Sequence, residues 1–163
     1  VSLQDKRGKT ALHCVVESGN IESFKAMITI YPDSECSQAL NKQDRRGMTV
    51  LHRALIWGTS ELFRSVLSLY PNTQLPHVLN IQNRKGNTVF HYAVRKSKPE
   101  KRERLETILA RYPQSGRLQG LNMQNMEGQT VLDLIPDDAT RELIMEWLSK
   151  SEKSTPEQSR QVA

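Results

Sequence analysis

The sequence predicts an all-α repeat solenoid, a stack of helix-turn-helix units joined by short β-hairpin-like fingers. Three observations predict it. One phrase occurs four times, as QDKRGKTALH at 4–13, QDRRGMTVLH at 43–52, QNRKGNTVFH at 82–91 and QNMEGQTVLD at 124–133. Its glycines, Gly8, Gly47, Gly86 and Gly128, are spaced by 39, 39 and 42 residues, a period at which self-similarity means stacked units. Behind each of the first three phrases apolar residues recur at helical spacing, so each unit presents an apolar face that only a neighbour can cover.

Each element follows from local chemistry. The Asp or Asn three residues before each glycine (Asp5, Asp44, Asn83, Asn125) marks a tight turn, because Asx and Gly tolerate the left-handed backbone such turns need. The threonine two residues after each glycine (Thr10, Thr49, Thr88, Thr130) is placed to accept the open amides of a helix start. A first short helix then runs through Leu12, Val15 and Val16, through Leu51, Ala54 and Leu55, and through Phe90, Ala93 and Val94. It stops near Gly19 or Gly58, and a second amphipathic run follows, with Ile21, Phe24, Met27 and Ile28 as its first instance. In the fourth unit Pro136 shortens the first helix, Asp137 and Asp138 open the last one, and that helix is expected over 139–148 as a cap.

The residues T-A-L-H-C-V, T-V-L-H-R-A, T-V-F-H-Y-A and T-V-L-D-L-I resemble the T-P-L-H-x-A motif of the ankyrin repeat, and Gly8 to Gly19 and Gly47 to Gly58 are each 11 apart, as that family's pattern requires. The motif's proline is absent throughout and Asp133 stands in place of the last histidine. The resemblance implies a domain over 1–149 with repeats at about 4–40, 43–79, 82–121 and 124–149, and leaves the polar stretch 150–163 as a disordered tail. Against a repeat of 33 residues the period here is longer by six. The additions DSECSQAL, NTQLPHVL and QSGRLQGL follow a recurrent Tyr-Pro and end on a leucine, which is expected to tuck against the stack as an ordered extension. The three further residues of the third unit are assigned to a solvated turn around SKPEKRER. The chain enters a repeat at once, without a capping helix, and reads as an excised piece of a longer protein.

Composition bounds the function. A chain of 163 residues that is 37% hydrophobic can form one elongated domain. It has no signal peptide and no apolar run long enough to cross a membrane. Cys14 and Cys36 lie far apart in the repeat frame and suggest neither a disulfide nor a metal site, so the expected location is cytoplasmic, with the nucleus as the alternative because the run 95–104 is strongly basic. His13, His52 and His91 recur with the unit, and the resemblance makes them structural. With no Ser/His/Asp arrangement, phosphate loop or paired carboxylate motif, the reading is of a non-enzyme with no catalytic residues, metal or cofactor.

What remains is a binding surface. In ankyrin domains partners meet the finger tips and the exposed flank of the first helices. Carried over, those places give Lys6, Arg7 and Lys9, with Glu17 and Ser18, in the first unit. The second gives Arg45, Arg46, Met48, Ile56 and Trp57, and the third gives Arg84, Lys85, Arg95 and Lys96, with Asn87. In the fourth stand Met126, Glu127 and Gln129. The set carries +7 in a chain of net charge +5, so the basic character is concentrated on one face. Solvated turns more often mix both signs. Trp57, with Met48 and Ile56 beside it, makes an apolar centre rimmed by arginines, suited to an acidic or phosphorylated protein partner bound by a monomer. The alternatives are nucleic acid or anionic lipid on the same charge, ranked lower because interleaved aromatics are lacking, and a regulatory part of an enzyme whose chemistry lies elsewhere. Lengthened units of this kind resemble those of animal signalling proteins and of effectors that intracellular bacteria or viruses deliver into host cells, with a lean to the effector.

Overall fold

A computed structural model describes residues 3–95, 99–113 and 116–150 and repeats one unit along a single axis. The first unit holds α1 (Ala11–Ser18), α2 (Ile21–Ile28) and α3 (Asp33–Asn41). The second holds α4 (Val50–Trp57), α5 (Ser60–Ser68) and, after a 3-10 turn at Asn72–Gln74, α6 (Leu75–Leu79). In the third are α7 (Val89–Val94), α8 (Pro99–Arg111) and α9 (Arg117–Asn122). A 3-10 turn at Leu132–Leu134 and α10 (Asp138–Ser149) make the fourth. Among the described residues there is no strand, so the protein is an all-α solenoid. Helices α1, α4 and α7 pack in one layer, and α2, α5 and α8 pack in the second.

The fingers repeat one set of bonds. In the second unit the Asp44 amide donates to the Met48 carbonyl (3.0 Å) and the Gly47 amide to the Asp44 carbonyl (2.8 Å). The Asp44 carboxylate accepts from the amides of Arg46 (2.7 Å) and Met48 (2.9 Å), the bonding that makes Asx residues turn formers. Gly47 sits at φ +74°, and a Cβ there would lie 2.7 Å from the Arg84 nitrogen of the next finger, so both conformation and stacking demand glycine. Successive fingers are joined by single backbone bonds, Arg45 to the Arg7 carbonyl, Arg84 to that of Arg46 and Met126 to that of Lys85. The amides of Gln4, Gln43 and Gln82 each reach across to the backbone of the next finger (2.8–3.0 Å).

Each first helix opens on a threonine whose third-residue partner is a histidine instead of the usual Glu or Gln. The backbone amides of Thr10, Thr49 and Thr88 donate to Nδ1 of His13, His52 and His91 (3.1–3.4 Å). The opposite nitrogen, Nε2, lies 3.0–3.3 Å from the carbonyls of Met48, Asn87 and Gln129, one unit on. The imidazole therefore caps its own helix and ties it to the next finger. In the fourth unit the carboxylate of Asp133 takes the histidine's place and accepts from the Thr130 amide and hydroxyl (2.7 Å each).

The described residues of each extension contain a helix that was not expected, so the unit has three helices in place of two; residues 114–115 of the third extension lie outside the described residues. The closing leucines of the extensions, Leu40, Leu79 and Leu121, are fully buried. The tyrosines of the Tyr-Pro pairs are buried as well and knit this edge: Tyr70 donates to the Asn41 side chain (3.0 Å), and the Asn80 side chain donates to the Tyr112 hydroxyl (3.4 Å). At the far end Trp147 of α10 donates to the Leu109 carbonyl (2.8 Å) while Arg117 stacks over its ring (4.4 Å).

One expectation is corrected. The lengthening of the third unit lies largely in α8, whose helix already runs from Pro99, and not in a solvated turn. Arg104 is buried and donates to the carbonyls of Leu55 and Gly58 (2.6 Å to the latter), satisfying groups that the end of α4 leaves open. Arg111 does the same for Leu67 (2.5 Å) and Tyr70 (2.8 Å) at the end of α5. Residues 96–98, and 151–163 of the expected tail, lie outside the described residues. No described helix is long and apolar enough to cross a membrane.

Candidate functional site

The fingers project their second and third residues outward because the Asx and Gly on either side bond inward. Lys6, Arg7, Arg45, Arg46, Arg84 and Lys85 are accordingly exposed. Beside them the ends of α1, α4 and α7 shape two adjoining hollows of about 640 and 600 Å³ that share Arg45, Arg46 and Trp57.

Trp57, the last residue of α4, is 46% exposed and forms the wall between them. Its ring carries the Arg53 guanidinium at 4.9 Å, a cation–π contact one turn back on the same helix. Arg53 is itself buried and pairs closely with Glu17 of the first unit and with Asp44, whose side chain is fully buried. Glu17 also binds Lys9 at 2.6 Å. The floor of the first hollow is thus charge-compensated, and its rim of Lys6, Arg7, Arg45 and Arg46 is not.

The second hollow differs. Arg45, Arg46, Arg84, Lys85 and Arg95 surround Met48, Ile56, Trp57, Asn83 and Tyr92, with no carboxylate among the described lining residues. Met48 is buried and contributes to the floor, touched through its sulfur by the Asn83 amide at 3.1 Å. Ile56 is half-buried, Arg95 is exposed, and Lys96 lies outside the described residues.

The recurring histidines line neither hollow. Burial pulls His52 down to about 4 and lowers His13 and His91 as well. Protonation would put a hydrogen on Nδ1 facing a threonine amide, so the neutral tautomer with its proton on Nε2 is the one these bonds fit. Among the described residues no group of three His, Cys, Asp or Glu is arranged to hold a metal.

Sequence reasoning did not find Arg53, Asp44, Asn83 and Tyr92 as parts of the site. Arg53 and Tyr92 occupy the same motif position, and each meets the Asx of its own finger: Arg53 pairs with Asp44, and the Asn83 amide donates to the Tyr92 hydroxyl at 2.8 Å. A charged residue inside an otherwise apolar helical face, nine residues after a turn aspartate, was the signal available.

Residues 1–75 match the family model of ankyrin repeats, a model of three copies. The same finger bonds and Thr–His pairing continue past that span, at 82–91, and the finger recurs again at 124–133. No curated protein matches the chain.

Proposed function

We propose that the chain, whose residues 1–75 match ankyrin repeats, units that are in general protein–protein interaction modules, is built of such units throughout and acts without catalysis, binding an acidic or phosphorylated protein partner on the basic concave face. The single observation that carries this reading is the second hollow, five cations around an apolar floor with no carboxylate among its described lining residues. That anatomy matches a protein interface, in which a buried apolar anchor supplies affinity and complementary charge supplies register and association rate. In this reading Trp57 is the anchor, Ile56, Met48 and Tyr92 shape its surroundings, and Arg45, Arg46, Arg84, Lys85 and Arg95 receive the partner's acidic groups. The protein works as a monomeric scaffold in a reducing compartment, the cytoplasm or the nucleus, in a signalling protein or a pathogen effector; neither Cys14 nor Cys36 is in a disulfide, which fits that placement.

The test is affinity capture from lysate with the native protein and with the combined variant Arg45→Glu, Arg46→Glu, Trp57→Ala, each shown to be folded. A protein recovered only by the native form, in captures resistant to nuclease, supports the reading. Identical captures would remove the concave face from consideration, and captures emptied by nuclease would assign the charge to nucleic acid.

A further inference from the structure

The first hollow contains a feature that the second lacks. Among the described lining residues Glu17 is the one carboxylate, beside Lys6, Arg7, Lys9, Arg45, Arg46, Arg53 and Trp57. It reaches from α1 into this basic concavity, and its two oxygens are divided between Lys9 and Arg53. Arg53 does not depend on it for position, because the buried Asp44 carboxylate holds the same guanidinium from below and Trp57 holds its face. Removing Glu17 would leave Lys9 and one arm of Arg53 facing the hollow, with four further cations on the rim.

We propose that Glu17 is a built-in stand-in for a ligand's anionic group, and that the first hollow is a phosphomonoester subsite in which the phosphoryl group of a phosphorylated partner residue displaces it. This rests on the interaction-module reading and assigns the chemistry of one part of its surface. The argument for phosphate over carboxylate is one of exchange. A partner carboxylate entering the hollow replaces an existing carboxylate of equal charge on the same two cations, so little is gained after Glu17 is expelled. A phosphomonoester carries about −1.5 to −2 at pH 7 and three strong acceptor oxygens, enough to hold Lys9 and Arg53 and still engage Arg45 and Arg46. Glu17 therefore acts as a filter, setting a threshold that a carboxylate does not pass. Because Arg53 stacks on Trp57, the indole senses the exchange, and Trp57 links this subsite to the apolar anchor of the second hollow.

The experiment uses the full chain labelled with ¹⁵N and three probes: capped phosphoserine, capped glutamate and inorganic phosphate, with the Trp57 indole and arginine side-chain resonances as the readout. Phosphoserine should bind the native protein with glutamate about tenfold weaker, and Glu17→Gln should tighten both while bringing glutamate to within about threefold. Lys9→Gln, which alters an outer side chain, should weaken phosphoserine in the native background and keeps the test open if Glu17→Gln does not fold. Equal response of the native protein to phosphoserine and glutamate would overturn the proposal, as would a Glu17→Gln protein with native selectivity. Inorganic phosphate bound as tightly as capped phosphoserine would overturn its assignment to a phosphorylated partner residue. These readouts need no partner, so a failure here is separable from failure of the capture experiment.

Discussion

A single residue, His52, shows how this fold couples to pH. Its Nδ1 accepts from the Thr49 amide and its Nε2 faces the Asn87 carbonyl, and burial holds its pKa at about 4. The unfolded imidazole titrates near about 6.5. A base depressed in this way contributes stability that is complete above the unfolded value and is lost as pH falls toward the folded one. The expected loss is on the order of 3 kcal/mol between about pH 6.5 and pH 4, with His13 and His91 acting in the same direction. Urea unfolding at pH 7.5, 6 and 5 checks this, and His52→Gln should flatten the dependence; equal midpoints at the three values would contradict it. The role of this histidine was legible because it recurs with the unit, whereas that of Arg53 was hidden because its position is Cys14 in one unit and Tyr92 in another. Contacts that depend on a varying residue leave no period to read.

At the scale of the element, the extension helices were the least visible part of the fold. Segment α3 offers few apolar residues, and α6 has Pro76 in its first turn, where proline is tolerated but gives no periodic signal. Helices of five to nine residues are marginal alone, so these form because tertiary packing completes them. What could be read was the leucine that closes each extension, and its burial carries the energetic consequence. Leu79→Ala should cost about 2–5 kcal/mol as a cavity opens under α6. Tyr70→Phe, which removes only the hydroxyl bonded to Asn41, should cost about 1 kcal/mol. Denaturant titration separates the two, and a Leu79→Ala protein as stable as native would mean that the extension only drapes over the stack.

Across the whole molecule, stability should follow position in the stack. Helix α4 lies between α1 and α7, and its Val50 and Ala54 are fully buried. The matching residues of α1 are Ala11, which is exposed, and Val15, which is half-buried. In a repeat array each unit is held by its nearest neighbours, so amide exchange should be fastest in α1 and α2 and slowest in α4 and α7. Uniform protection would indicate one all-or-none unit.

The same stack is fastened along both edges, by the glutamines and histidines at the fingers and by the Tyr–Asn pairs, with Trp147 at the end, along the extensions. A stack stitched on one side only can fan open about that seam; one stitched on both resists bending. In the complex proposed above, the finger face is therefore preorganised: its shape exists before the partner arrives, and little conformational entropy remains to be lost by this side. Adaptation falls to the partner, which favours a flexible segment that can conform to a surface already set.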